Sequence, residues 1–140
     1  MFGVNSKIML TNGKSKAIGE LEADDQVLLL SNDLHDICDG CEILSITKKK
    51  GEARNLIFKC NDTEIETLVG INQEFPTSNG LKTIINARKR DLLFHYDLAI
   101  AVLTDDRHRF SVVHELYDIL VTIDCMVIVN NMFFKIRRGV

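Results

Sequence analysis

Cys38 and Cys41 form the spacing in this chain that most directly suggests chemistry, a Cys-x-x-Cys written "CDGC". A redox dithiol of that form sits after a strand at a helix N-terminus, where the dipole lowers the thiol pKa. A zinc ribbon requires a second such pair. The sequence that follows, "EILSITKKKGEARNLIFKC", alternates like a hairpin, and Cys60 and Cys125 are isolated. Asp39-Gly40 is a good two-residue turn, so the pair reads first as structural, with metal and redox roles as the alternatives.

Other candidate groups are dispersed. The acidic pairs Asp24-Asp25 and Asp105-Asp106 fall where turns belong, and carboxylates in turns are usually solvated. His35, His95, His108 and His114 read as surface or core-edge residues, and Cys125 could pair with His114 as thiol and base only if folding joined them. The chain has no glycine-rich phosphate loop, no His-Glu-x-x-His and no Gly-x-Ser-x-Gly. Lys48-Lys49-Lys50, Arg88-Lys89-Arg90 and Arg137-Arg138 read as turn and surface charge.

The bulk composition fits this picture. With 140 residues, 46% hydrophobic and 26% charged, the chain is a single globular domain able to fill a core. A net charge of −3 argues against nucleic-acid binding. No apolar run is long enough for a membrane helix, and no secretory signal opens the chain, so the four cysteines are expected to be reduced thiols.

The elements that must position these residues are short, β-branched and punctuated by turns. Arg54–Cys60 and Glu64–Val69 read as strands joined by a tight Asn61-Asp62 turn, and Asn130-Asn131 separates Met126–Val129 from Met132–Arg137. Further turns are expected at Lys50-Gly51 and Ser78-Asn79-Gly80. Helical patterns are scarce, so the predicted class is all-β. Within it, "TNGKSKAIGELEADDQV" and "TSNGLKTIINARKRDLL" share one plan: Thr, Asn-Gly, a basic residue, Ile, a polar spacer, Asp and an apolar strand. Ile18 precedes Asp25 by seven residues, as Ile84 precedes Asp91. Such a repeat predicts two β-subdomains related by a pseudo-two-fold axis.

At this point the sequence resembles the Hint superfamily of inteins and hedgehog autoprocessing domains. The stretch "MFGVNSKIMLTNGKSKAIGELEADDQV" tracks the family's N-terminal motif. "GINQEFPTSNG" is similar to its second motif, and "YDILVTIDCMVIVNNMFFKI" to its C-terminal motifs. The resemblance covers residues 1–136, leaves 137–140 as a short tail, and implies a horseshoe β-fold.

It also implies where the chemistry would lie. Splicing begins with an acyl shift onto a thiol or hydroxyl at the first position, which falls on Met1; a thioether has no proton to lose. Met1 is also read as the translation start, with no upstream peptide to transfer. The family's Thr-x-x-His, whose imidazole acts as a general acid, falls on Gly70 and Gln73. The downstream histidine falls on Cys125, and the closing His-Asn on Lys135 and Ile136. Glutamine can hydrogen-bond a carbonyl but cannot exchange a proton at neutral pH. The expectation is therefore a Hint scaffold that does not splice, with no catalytic residue, cofactor or metal. It would act as a structural or protein-binding module with Phe133, Phe134, Arg137 and Arg138 as an interface. The flavour of "FPT" is similar to inteins of phage genes, which suggests a tailed-phage virion or assembly protein. Its partners would be other protein chains, an oligomer being open, with no nucleic acid and no membrane; its location would be the host cytoplasm or the virion. Alternatives are a hydrolase or self-cleaving remnant using Cys125 or an unrecognised nucleophile, and a small ligand- or metal-binding regulator built on Cys38 and Cys41.

Overall fold

In the computed structural model of the chain, residues 1–88, 90–96, 100–105 and 112–139 are described. Lys89, Asp106 and His108, and parts of the strands expected near 99 and 110, lie outside them.

Thirteen strands occur among the described residues, with one 3-10 turn at Ile18–Glu20. The first half contains β1 (Phe2–Gly3), β2 (Lys7–Met9), β3 (Ser15–Ala17), β4 (Leu29–Leu30), β5 (Ile43–Cys60) and β6 (Thr63–Gly70). The rest are β7 (Glu74–Thr77), β8 (Gly80–Thr83), β9 (Leu92–Phe94), β10 (Ile100–Asp105), β11 (Val112–Val121), β12 (Cys125–Val129) and β13 (Met132–Ile136). They join in one antiparallel sheet whose path runs β11-β1-β6-β5-β10-β9-β7-β13-β12-β2-β3, with β4 branching onto β12, β8 onto β7, and β11 also pairing β5.

The turn chemistry explains the hairpins. Asn61 and Asp62 take φ of 53° and 52°, and Asn130 and Asn131 take 50° and 65°. Two consecutive left-handed residues make the turn whose twist matches the flanking strands, and Asn and Asp tolerate that region best among residues with a side chain. These turns join β5 to β6 and β12 to β13, as the sequence predicts.

The expected turn at Lys50-Gly51 is not there. Ile43–Cys60 is a single eighteen-residue strand, and Gly51 lies within it opposite His114. A Cβ at Gly51 would stand 3.2 Å from the Met1 side chain and 3.5 Å from Leu116, so glycine here provides clearance rather than a reversal.

The β12–β13 hairpin lies between the two copies of the repeat. β12 pairs with β2 and β4, while β13 pairs with β7 and its Met132 bridges His95. Each copy folds as a hairpin, β2–β3 or β7–β8, whose first strand or the residue after it then meets the strand past the aspartate: Leu10 bridges Val27, and Thr77 bridges Leu93.

Both copies also carry the same polar latch. The Lys16 ammonium meets the Asp25 carboxylate at 2.9 Å, and the Glu22 amide donates to the same oxygen at 2.7 Å. Sixty-six residues on, Lys82 meets Asp91 at 3.0 Å and the Arg88 amide donates at 2.7 Å. The aspartate thus closes the polar spacer on itself and ties it back to the hairpin. Asp25 is therefore not the freely solvated turn carboxylate that its sequence context suggested.

Packing then explains the C-terminal aromatics. Every residue of β12 and β13 is buried, because each strand has neighbours on both sides and both faces are covered. Phe133 and Phe134 are 3% and 0% exposed, so neither supplies the surface expected of an interface; both are core. Phe134 packs edge-on to Phe2 at 5.2 Å and to Phe75 at 6.1 Å. Aromatic edges against faces add about 1 kcal/mol per pair beyond the buried area.

Candidate functional site

That aromatic trio positions the site. Phe2, Phe75 and Phe134 come from the N-terminal, second and C-terminal motifs, and fixing their rings together brings the residues beside them into one place. The Gly70 amide donates to the Met1 carbonyl at 2.9 Å, and Phe2 pairs with Val69. On the other side Lys135 pairs with Glu74. A turn between Gly70 and Gln73, closed by a 2.9 Å hydrogen bond, aims the Gln73 side chain between the two chain segments.

Gln73 is 7% exposed, and its amide oxygen and nitrogen both make hydrogen bonds. Its Oε1 accepts from the Met1 amine at 2.6 Å. Its Nε2 donates to the Lys135 carbonyl at 2.7 Å and the Glu74 carbonyl at 3.0 Å. One side chain therefore bridges the first residue and the end of the last long strand, 62 residues further along from itself. An amide suits this role because it presents an acceptor and two donors in one plane.

The same cleft, about 330 Å³, is bordered by Met1, Gly70, Gln73, Lys135, Ile136 and Asp118. Burial pushes the Met1 amine down to about 6, against the opposing pull of the Asp118 carboxylate. Gly70 fits Met1 closely: a Cβ on Gly70 would lie 3.3 Å from the Met1 Cβ. The Lys135 ammonium is hydrogen-bonded to Asn32 Oδ1. Arg137 makes a forked pair with Glu74 at 2.8 and 2.9 Å and reaches Asp124 at 3.2 Å. The Arg138 amide donates to Asp124 at 2.7 Å and the Gly139 amide to Val121 at 2.9 Å, so ordered pairing runs on past Ile136.

The fold thus brings together five of the positions singled out in the sequence: Met1, Gly70, Gln73, Lys135 and Ile136. Cys125 pairs with Ile136 from the adjacent strand, but its side chain is fully buried. Burial first, then contact with the Cys41 thiol, pushes Cys125 far above the ordinary thiol range. The neighbouring groups that act on it are Cys41, Cys38 and Lys135. His35 is exposed on its loop, and His114 lies on β11 opposite Gly51.

Sequence reasoning did not find the roles of Asn32 and Asp124. Asn32 offers no signal beyond its type. Asp124 stands at a turn before a buried strand, thirteen residues before Arg137, where a capping carboxylate could have been suspected.

Among the described residues, no three His, Cys, Asp or Glu side chains stand in an arrangement that could hold a metal ion. No helix among them is long and apolar enough to cross a membrane.

With this geometry established, comparison with known proteins identifies the class of fold. No protein-family model and no curated protein matches the chain. Solved structures do. The gp41-1 intein is 19% identical and aligns over 95% of each chain with a TM-score of 0.69. A bacterial intein-like domain from Clostridium thermocellum is 15% identical over 98% of this chain and 97% of its own, at 0.67. A DnaB intein from Synechocystis is 15% identical over 99% and 98%, at 0.66. The chain has the Hint fold of inteins, an all-β horseshoe with one copy of the repeat on either side of the β12–β13 hairpin.

Proposed function

We propose that this Hint-fold chain does not splice and serves as a structural or protein-binding module. One observation carries the reading: the Gln73 amide occupies the junction of the two chain segments and is hydrogen-bonded to Met1, Lys135 and Glu74. In the resembling family that junction is where an imidazole exchanges protons and a thiol or hydroxyl attacks. Met1 offers a thioether and Ile136 a hydrocarbon, neither able to accept an acyl group or to cyclise. An amide that neither gains nor loses a proton near pH 7 supports a clasp rather than a reaction centre.

Exposed apolar side chains are scattered over the surface, with Ile37, Leu44 and Val113 at 70%, 61% and 63%, and the binding role rests on the loss of the reaction rather than on a contiguous apolar patch. The partner chemistry we favour is another protein within a tailed-phage virion or its assembly, in the host cytoplasm or the particle; this setting rests on the motif resemblance. Self-cleavage through Cys125 in particular is opposed by that residue's burial and raised pKa.

The test is to flank the chain with inert reporter segments and follow intact mass through prolonged incubation. The full mass is expected to persist. Fragments ending at either junction would overturn the reading.

A further inference from the structure

The cysteine pair is not explained by the clasp. Cys38 and Cys41 border a separate groove of about 680 Å³, which Leu21, Val27, Leu29 and Ile43 also line. The Cys38 amide is anchored on the Leu29 carbonyl at 2.9 Å, and the Cys41 amide closes a turn on the Cys38 carbonyl at 3.3 Å. Gly40 takes φ of +72° at the third position of that turn, a conformation glycine adopts without strain. The ends of such a turn lie within about 7 Å between Cα atoms, the range that a disulfide spans.

Behind the pair lies a third thiol. Cys41 Sγ donates to the Ile123 carbonyl at 3.3 Å, and burial first, then the neighbouring Cys41 thiol, raises the pKa of both Cys38 and Cys125, so exchange at Cys38 should quicken as pH rises. The three thiols differ in access. Cys38 and Cys41 are half-buried and open to the groove, whereas Cys125 is 0% exposed and does not line it. Adjacent thiols that a small molecule can reach suit thiol–disulfide exchange.

We propose that Cys38 and Cys41 form a reversible dithiol–disulfide pair that reacts with low-molecular-weight disulfides entering the groove. One thiolate attacks a sulfur of the oxidant, such as oxidised glutathione, breaking its S–S bond and releasing one glutathione thiolate. The second protein thiolate then attacks the mixed disulfide, forms the Cys38–Cys41 bond and releases the other. The protein loses two electrons and two protons, and the oxidant is reduced to two thiols. This site is independent of the function proposed above, since neither cysteine touches the Gln73 clasp.

The test incubates the whole folded chain with oxidised glutathione, alkylates the remaining thiols, and maps the peptides. The expected product has lost two hydrogens, carries one bond between Cys38 and Cys41, and returns to the starting mass with a dithiol reductant. Cys60 and Cys125 should alkylate only after unfolding. Cys38→Ser should stop at the mixed disulfide on Cys41; should that variant not fold, the map of the unaltered chain decides alone. A persistent mixed disulfide on the unaltered chain, a Cys41–Cys125 bond, or no reaction at either residue would overturn the proposal.

Discussion

The two copies of the repeat are wired alike but buried differently. In the first, the Lys16 and Asp25 side chains keep 30% and 18% of their exposure; in the second, Lys82 and Asp91 keep 20% and 6%. Asp25 is held below the usual carboxylate range chiefly by the Lys16 hydrogen bond and then by the Glu22 amide. At Asp91 burial is the largest influence and pushes the carboxyl up, yet the Arg88 amide, Lys82 and Asn79 together outweigh it and the pKa still falls. One local motif therefore serves as a clip near solvent in one half and as a buried anchor in the other. The covering structure, not the motif, sets the energetic stakes.

Breaking the buried anchor should have the largest effect. Asp91→Ala leaves Lys82 and the Arg88 amide without their partner in a covered site and should cost about 3 kcal/mol in urea unfolding. Gln73→Ala comes next. It strips hydrogen bonds from the Met1 amine and from two carbonyls at the seam, and should cost about 2 kcal/mol by the same measurement. Asp25→Ala should destabilise less than Asp91→Ala; equal losses, or the reverse order, would remove the distinction between the halves. The two latches share no partner, so the double variant should be additive within about 0.5 kcal/mol.

Acid should reveal both latches. Their folded pKa values lie below the ordinary 3.8, so their stabilisation is complete above that value and is lost as pH falls through the folded values. The Met1 amine acts in the opposite range. Its pKa falls from 8.0 to about 6, so the unfolded chain binds more protons between those values and stability should rise as pH increases across that window. Urea midpoints measured across both ranges check the two signs, and a flat profile between about 6 and 8.0 would contradict the burial of the amine.

Much of this was visible in the sequence where local chemistry dictates the outcome. Asn61-Asp62 and Asn130-Asn131 announce their hairpins because few other pairs accept two left-handed residues. The repeat announces the halves, and a lysine nine residues before each aspartate was there to be seen as a latch. Gly51 misled because clearance inside a strand and reversal at a turn both call for glycine, and only the neighbouring Met1 and Leu116 tell them apart. Phe133 and Phe134 misled because aromatics beside arginines look alike whether the strand is edge or centre; the flanking β12 and β7 decide that. The Gln73 bridge spans residues distant in sequence, so its parts could be located only through family resemblance, and their convergence required the fold.

The central claim is that the segments meeting at Gln73 are clasped and do not react. The most direct measurement treats the doubly flanked chain with hydroxylamine, which captures an ester or thioester even when it forms transiently. The account predicts no hydroxamate and no cleavage at either flanking junction, any product at Asn12-Gly13 or Asn79-Gly80 being the ordinary reaction of hydroxylamine with Asn-Gly bonds. A hydroxamate or a fragment at the Met1 junction, or release beyond Ile136, would show that an acyl shift or cyclisation survives and would contradict it.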